Sequence, residues 1–292
     1  MTDEPLAPGL YLVSTPIGNL EDITLRALRV LRSVDRIACE DTRQTRKLLD
    51  RYGIGTPTIS SHEHNEAARS RPLVEELQAG ARIAVVSDAG TPGISDPGMV
   101  LAAAAMAAGI AVFPIPGPSA VLAALVGSGL NTETFFFFGF LPSKAGARRT
   151  ALEGLAASIR QPATIVFYEA PHRIAEMLAD VEAVWGAQCR VAMARELTKI
   201  HEEFLRGTVA DIRKQIAERE SLRGEMVLLV EATPATSASA GAATGLLARL
   251  AELEKSESLP EKDALKRIAR ERGVSKSELW RELQRERAAR GR

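Results

Sequence analysis

The chain has 292 residues and a mass of 31.4 kDa, which is enough for about two domains, each with its own core. Apolar residues make up 46% of it and charged residues 25%, so the composition excludes general disorder. The formal net charge is zero, and the two cysteines form no disulfide framework, which favours a reducing, cytoplasmic setting. No secretory leader is expected, because no basic-then-apolar segment precedes Leu6. No membrane-spanning helix is expected either, because the longest apolar run is broken by Gly109 and Pro114.

The first 117 residues alternate between strand-like and helical patterns. Strands are predicted at residues 10–14, 36–39, 83–86 and 111–115, and helices at residues 24–32, 44–52 and 66–79. This alternation indicates a mostly parallel sheet with helices on both faces, so the predicted fold class is α/β.

The segment RIAVVSDAGTPGISDPG, residues 82–98, joins a buried-type strand to a turn crowded with Gly, Pro, Ser and Asp. Asp96 is predicted to cap the next helix, with Pro97 at its first position. Two more Gly/Pro-rich turns, at residues 14–19 and 116–119, also follow predicted strands. Because parallel strands end at the same edge of a sheet, the three turns indicate a ligand crevice there. None of them has the GxGxxG or Walker A pattern, so no dinucleotide or nucleoside triphosphate is indicated.

Beyond about Leu130 the pattern changes to a second group of strands. They are predicted at residues 135–140, 163–168, 191–194, 203–208 and 225–231, with helices beginning at Pro171 and covering residues 209–220. We interpret this half as a second α/β domain with antiparallel strand pairs. The predicted division is an N-terminal α/β domain at residues 1–117, a second α/β domain at 118–232, a linker at 233–244 and a helical extension at 245–292.

The linker, TPATSASAGAAT, is small, polar and without pattern, which is typical of a flexible connection. Helical patterns follow at residues 245–251, 260–273 and 275–289, and the break between the last two resembles a helix-turn-helix corner. Residues 243–292 contain 13 Lys and Arg against 9 Asp and Glu. A basic end on an acidic body indicates an anionic macromolecular partner.

Three side chains near strand ends are candidates for proton transfer. The segment IACEDTR ends a strand in Glu40 and Asp41, which could deprotonate a substrate hydroxyl. Asp41 or Thr42 could equally cap the helix that follows. His62 is the third candidate. The HEH spacing at residues 62–64 has no further Cys or His at metal-ligand spacing, so no metal site is predicted.

Basic side chains cluster near several of the strand ends, where they could contact phosphates. A solvated surface is the alternative for each cluster. For the segment EAPHR, residues 169–173, helix capping is the alternative. The candidate set is Arg43, Arg46, Lys47, Lys144, Arg148, Arg149, Arg173, Arg195 and Lys199.

Seven segments together resemble the ribosomal RNA small subunit methyltransferase I family of the tetrapyrrole-methylase superfamily. In chain order they are YLVSTPIGNLEDIT, IACEDTR, SDAGTPGISDPG, PIPGPSA, FYEAPHR, RELTKIHEEFLRG and GEMVLLVE, and the likeness spans about residues 10–231. The basic helical tail is also similar to the C-terminal extension of that family.

The resemblance implies two α/β domains of tetrapyrrole-methylase type, with S-adenosylmethionine in the cleft between them, and a small helix-turn-helix-like domain at the end. It implies 2′-O-methylation of a cytidine ribose in 16S rRNA of the small ribosomal subunit, near the decoding centre. It also implies a homodimer, with no metal ion in the reaction and no association with a membrane. Asp41, Glu40 and His62, in that order, become the candidate bases for the ribose hydroxyl. The residues carried over by motif as cofactor contacts are Pro16, Ser87, Asp88, Ala89, Gly90, Ile94, Ser119, Ala120, Tyr168, Ala194 and Met226.

Two other interpretations keep part of this pattern. The same fold and cofactor could serve a tetrapyrrole or another small acceptor, which needs a deep apolar cleft rather than an open basic rim. Alternatively, the α/β body could sense a ligand and the tail could bind DNA, although the tail is a small share of the chain.

Overall fold

The computed structural model describes residues 5–62, 65–96 and 98–234. In the C-terminal tail it describes residues 246, 247, 250, 251, 253, 260–272, 275, 279–284 and 287.

The first half of the chain forms a five-stranded sheet. Its strands are β1 (Gly9–Val13), β2 (Arg36–Cys39), β3 (Thr58–Ser60), β4 (Arg82–Val86) and β5 (Val112–Ile115). All neighbours pair in parallel, in the order β3-β2-β4-β1-β5. The carboxyl ends of the strands therefore meet along one edge.

Helices cover both faces of this sheet, as the sequence predicted. After a short 3-10 helix come α1 (Leu25–Ser33), α2 (Thr42–Arg51), α3 (Glu66–Gln78) and α4 (Met99–Ala107). Successive residues of a strand face opposite sides, so on β1 Val13 packs with α1 and α2, whereas Leu10 packs with α3 and α4. The oxygens of Thr24 and Asp41 cap α1 and α2.

The second half forms another five-stranded sheet, with mixed pairing. Its strands are β6 (Phe135–Phe140), β7 (Ala163–Glu169), β8 (Arg190–Arg195), β9 (Glu203–Thr208) and β10 (Met226–Ala232). The order is β6-β7-β10-β8-β9, in which β6 and β7 are parallel and the other pairs are antiparallel. The predicted antiparallel pairs are therefore confirmed.

Four helices cover this sheet: α5 (Ala120–Ser128), α6 (Ala145–Ser158), α7 (Ile174–Trp185) and α8 (Val209–Ala217). The first packs on one face with Val166 and Leu229, and the other three share the opposite core with Ile165 and Phe167. Residues 116–119 thus connect the last strand of one sheet to a helix that packs on the other. The domain limits drawn from the sequence stay a prediction.

The structure corrects the predicted start of α4. This helix begins at Met99 with Gly98 as its cap residue, at a φ of 122°, so Asp96 is not the cap; Pro97 lies outside the described residues. The N–H groups of Gly98, Val100 and Leu101 instead donate to Oε1 of the buried Glu66, at 2.9, 3.1 and 3.3 Å. Strand β3 and helix α6 are elements that the sequence patterns did not predict.

The tail contributes helix α9 (Glu261–Arg272) and a small core of its own. Leu250, Leu265, Ile268 and Leu279 are buried in this core. The linker beyond Pro234, the predicted corner at residues 273–274 and parts of the predicted helices at 245–251 and 275–289 lie outside the described residues. Within the parts of the chain that the structure describes, no helix is both long and apolar enough to cross a membrane.

Candidate functional site

A cleft with a volume of about 360 Å³ opens between the carboxyl ends of the first sheet and one edge of the second sheet. This volume lies within the range of small-ligand sites, roughly 300–1,000 Å³. The first sheet contributes residues 89–91 and 94–96 of the long turn after β4, and Ser119 with Ala120 at the start of α5. Residues 168–171 and 224–227 form the opposite wall.

Main-chain hydrogen bonds fix the turn that forms the floor. The N–H of Thr15 donates to the carbonyl of Gly90 at 2.8 Å, and the N–H of Gly90 returns a bond to the carbonyl of Thr15 at 3.0 Å. Gly90 has a φ of 81°, and a Cβ there would lie 3.3 Å from Cγ2 of Ile17. A glycine is therefore required where the two turns approach each other.

The N-terminus of α5 lies at the same cleft. Ser119 is its cap residue, and its Oγ accepts from the N–H of Leu122 at 3.4 Å. A helix N-terminus presents N–H groups and a partial positive charge, so this end can receive an anionic group of a ligand.

The wall from the second sheet is mostly aromatic and apolar. The Tyr168 ring packs edge-on against Phe137 and Phe140, with centroids 5.0 and 5.6 Å away. Burial, together with the charges of Asp96 and Glu225, raises the pKa of Tyr168 to about 12. Its hydroxyl thus stays protonated at neutral pH, next to an apolar surface that suits a flat ring.

Asp96 gives the cleft its unusual electrostatics. The pKa of Asp96 is raised to about 6, mainly by burial and then by the negative charge of Glu40. Asp88 and Glu225 raise this pKa further, whereas a hydrogen bond from Ser87 lowers it. A cationic ligand relieves this repulsion. The cleft therefore fits S-adenosylmethionine, which carries a sulfonium charge, a carboxylate and a flat ring. The sequence did not reveal Asp96 as a site residue, because Asp96 and Pro97 have the pattern of a helix start. The presence of a second aspartate in the turn, besides Asp88, was the one feature that could have indicated its role.

Most of the predicted cofactor contacts line the cleft. The lining residues among them are Ala89, Gly90, Ile94, Ser119, Ala120, Tyr168 and Met226. Pro16, Ser87 and Ala194 are buried behind the lining, where Oγ of Ser87 bonds the carbonyl of Gly90 at 3.2 Å. Asp88 is exposed and accepts from the N–H of Asp41 at 3.1 Å.

The three candidate bases occupy different settings. The Oδ1 of Asp41 caps α2 by accepting from the N–H of Arg43 at 2.8 Å, as the alternative interpretation of this residue expected. Glu40 is partly buried at the end of β2, close enough to the cleft for its charge to act on Asp96. His62 bonds Asn65 through its ring and its N–H, at 3.0 and 2.8 Å.

Some of the predicted phosphate-binding side chains are exposed. Arg43, Arg46 and Lys47 lie on the outer face of α2, with Arg46 paired to Asp50 at 2.7 Å. Lys144 is exposed at the start of α6, and the side chain of Arg149 is 48% exposed.

The others make internal contacts. Arg173 donates to the carbonyls of Leu141 and Pro142, Arg195 pairs with Glu203, and Lys199 pairs with Glu196 and Glu225.

Arg148 does not fit the predicted role. It is 2% exposed and bonds the buried Asp180 at 2.7 Å and Glu176 at 3.1 Å, which joins α6 to α7. Its burial keeps it from an external phosphate and gives it a structural role instead.

Among the residues that the structure describes, no group of three His, Cys, Asp or Glu side chains is arranged to hold a metal ion. The second histidine of the HEH segment, His64, lies outside these residues.

Comparison with known proteins identifies this architecture. The family model for Tetrapyrrole (Corrin/Porphyrin) Methylases matches residues 9–213. Ribosomal RNA small subunit methyltransferase I of Mesorhizobium japonicum is 46% identical over 279 residues, which are 96% of this chain and 92% of that protein. The protein of the same name from Vibrio cholerae is 52% identical over 225 residues, 77% of each chain.

Solved structures share the fold at low identity. Uroporphyrin-III C-methyl transferase from Thermus thermophilus, complexed with S-adenyl homocysteine, aligns with a TM-score of 0.54 and 18% identity over 76% of this chain and 96% of that one. Diphthine synthase aligns with a TM-score of 0.55 and 14% identity over 76% and 89% of the two chains. The family model and the sequence relatives show that the chain belongs to the ribosomal RNA small subunit methyltransferase I family, within the tetrapyrrole methylases.

Proposed function

We propose that this protein transfers the methyl group of S-adenosylmethionine to the 2′-hydroxyl of a cytidine ribose in 16S rRNA, near the decoding centre of the small ribosomal subunit. The observation that carries the proposal is the cleft between the two sheets, which is lined by seven of the predicted cofactor contacts. The chain is also 46% and 52% identical to two proteins named ribosomal RNA small subunit methyltransferase I.

The cofactor, when bound, supplies a methyl carbon already activated by its positive sulfur. The protein then has to hold the reacting groups in line, and positioning alone can contribute about 7–11 kcal/mol to such a reaction. The floor at Thr15 and Gly90, the N-terminus of α5 and the aromatic wall at Tyr168 are rigid parts suited to that work.

A ribose hydroxyl also needs a proton acceptor. Asp41, Glu40 and His62 stay our proposals from the sequence, and of these Glu40 has the clearest link to the cleft through its effect on Asp96. A well-placed base contributes about 10²–10⁴-fold.

For the RNA surface we propose the exposed cations around the cleft. Arg43, Arg46 and Lys47 on α2 stand beside the turn that holds Asp88, because the N–H of Asp41 bonds that side chain. Lys144 and Arg149 extend the surface on the second half. Arg173, Arg195 and Lys199 are proposed as rim contacts that exchange internal partners for phosphates.

We further propose that the active form is a homodimer working in the cytoplasm, where small ribosomal subunits are found. Exposed apolar side chains on α4, α5 and β6, among them Met106, Val126 and Phe136, support a contact between copies. Analytical ultracentrifugation checks the assembly state, and a single sedimenting species at monomer mass contradicts a dimer.

The decisive experiment measures methyl transfer to small ribosomal subunits from a strain lacking this gene. Labelled cofactor should mark one 16S rRNA ribose, and mass spectrometry should find that methyl group missing from the rRNA of the deletion strain. Tetrapyrrole precursors serve as the competing acceptor in the same assay. Transfer to those precursors, with none to the subunits, would favour the small-molecule interpretation and sink the proposal.

A further inference from the structure

A carboxylate that the motif comparison did not select lies at the meeting point of the two halves. Asp96 lines the cleft from the long turn after β4. Its charged neighbours are Glu40 from the end of β2, Asp88 from the beginning of the same turn, and Glu225 from the residue before β10. The ring of Tyr168 on β7 lies opposite and is affected by its charge.

The backbone holds Asp96 in an unusual position. The preceding residue, Ser95, has a φ of 60°, a left-handed conformation that is unfavourable for a residue with a side chain. Ser95 also packs against the bulge of β6, where a Cβ added to Gly139 would lie 3.2 Å from the serine Oγ. A strained residue held by its surroundings, next to a carboxylate in a cleft, is a feature of functional sites.

Two of the neighbouring carboxylates are already engaged elsewhere. Asp88 accepts from the N–H of Asp41, and Glu225 pairs with Lys199 at 3.0 Å while its side chain is 77% exposed. Asp96 accepts a hydrogen bond from Ser87, but it is half-buried and lines the cavity. Its setting therefore suits a base better than theirs.

We infer that Asp96 is the proton acceptor for the attacking ribose hydroxyl; this inference rests on the function proposed above. The hydroxyl oxygen uses an electron pair to form the bond to the methyl carbon, and its proton passes to the Asp96 carboxylate. The bond between methyl and sulfur breaks, its electron pair stays on sulfur, and the sulfonium becomes a neutral thioether. Asp96 then returns the proton to water. Burial, together with the charges of Glu40, Asp88 and Glu225, makes the carboxylate basic enough for this role.

The first test needs no RNA. Because a cation favours ionised Asp96, cofactor binding should release a proton from the wild-type protein near pH 6. Isothermal titration calorimetry in two buffers of different ionisation enthalpy measures this release. It should vanish in Asp96→Asn and be smaller with S-adenosylhomocysteine, which lacks the sulfonium charge. Equal release by wild type and Asp96→Asn would overturn the inference.

The second test uses turnover on small ribosomal subunits. Asp96→Asn should bind the cofactor and lose about 10²–10⁴-fold in kcat. In wild type, kcat/KM for the cofactor should fall below about pH 6, and the corresponding limb of kcat should lie at lower pH because the bound cation stabilises the carboxylate. The exposed Glu133→Gln, outside the cleft, is the matched control and should behave as wild type.

Glu40→Gln distinguishes Asp96 from Glu40, one of the three base candidates proposed above. If Asp96 accepts the proton, this variant loses a repelling charge, and its acid limb moves to lower pH without disappearing. If Glu40 is the base, Glu40→Gln loses the limb together with activity, and Asp96→Asn stays within about tenfold of wild type, which rejects our inference.

A stability measurement guards against a misfolded variant. The pKa of Asp96 is higher in the folded chain, about 6, than its ordinary value of 3.8, so ionised Asp96 destabilises the fold as the pH rises through that interval. Asp96→Asn should therefore raise Tm more at pH 8 than at pH 5. A protein that binds no cofactor at all refutes the proposed function, whereas one that methylates rRNA without needing Asp96 refutes only this inference.

Discussion

Glu66 shows how one buried side chain can set the shape of a distant turn. It begins α3, yet its Oε1 accepts three N–H groups at the start of α4, thirty-two to thirty-five residues away in sequence. The first N–H groups of a helix have no acceptor within the helix, and Glu66 supplies one for these three. The negative charge of its carboxylate also interacts favourably with the positive end of the helix dipole. Glu66 thus anchors the far side of the turn that presents Asp96.

Replacing Glu66 should weaken the fold and the site together. Glu66→Ala leaves three donors without their acceptor, and we expect a loss of about 2–4 kcal/mol in the free energy of unfolding, measured by urea denaturation. Glu66→Gln keeps an acceptor oxygen and should lose less than half of that amount. Equal stability of the alanine variant and wild type would show that the bonds to α4 are not important.

This contact also explains why the beginning of α4 was mispredicted. Asp96 and Pro97 have the local pattern of a cap and a first-turn proline, but a cap from another helix cannot be seen in local sequence. The same limit hid Asp96 as a site residue, because its role depends on Glu40 and Glu225, which are distant in the chain.

At the scale of elements, a charged cluster joins the second sheet to the segment after α8. Glu203 on β9 bonds Arg219 through both carboxylate oxygens, at 2.6 and 2.8 Å, and Arg195 on β8 at 3.1 Å. The hydrogen bond from Arg219 is the main cause that lowers the pKa of Glu203 to about 2. The cluster thus stabilises an antiparallel pair and the return of the chain beyond the helix.

The pH dependence of this cluster follows from the direction of the shift. The folded pKa of Glu203 lies below its ordinary value of 4.5, so its stabilisation is fully present above about pH 4.5 and is lost as the pH falls towards 2. Glu203→Gln should be less stable than wild type by about 1–3 kcal/mol at pH 7. The difference, measured by denaturant titration, should shrink between pH 4.5 and pH 2. A constant difference over that interval would contradict the assignment.

Elements with strong local signals were predicted well. β2, β6 and β9 have the predicted bounds. Of these, β6 has the clearest local signal, the aromatic run FFFFGF. β3 is only three residues long, and α6, AGARRTALEGLAAS, has only two large apolar residues, Leu152 and Leu155, so neither shows a clear period. Arg148 in that helix is predicted to contact RNA because the sequence does not show that its charge is buried and paired with Asp180.

For the whole molecule, none of the tail residues that the structure describes lines the cleft. The buried side chains of the tail form a cluster of their own, separate from the four cores of the α/β body. From its basic excess we expect the tail to add affinity for RNA.

A chain ending after Pro234 should therefore keep its cofactor site. We expect cofactor affinity within about twofold of the full chain, measured by calorimetry, because no described tail residue lines the cleft and residues that share no contacts contribute independently. Affinity for small ribosomal subunits should fall, and its dependence on salt should become shallower. In the full chain, replacing the exposed Lys262 and Lys266 by Gln should reduce the slope of log K against log salt by up to about 2. Loss of cofactor binding by a folded truncated chain would contradict this division of roles.

The serine at position 95 also bears on attempts to make the enzyme more heat-resistant. Glycine adopts a left-handed backbone without penalty, so Ser95→Gly is the substitution that an engineer would choose first to relieve the turn. The relaxed turn, however, would hold the Asp96 carboxylate less firmly in position. The variant would then be more thermally stable but slower in turnover. Resistance to heat and speed thus make opposite demands on a single residue here.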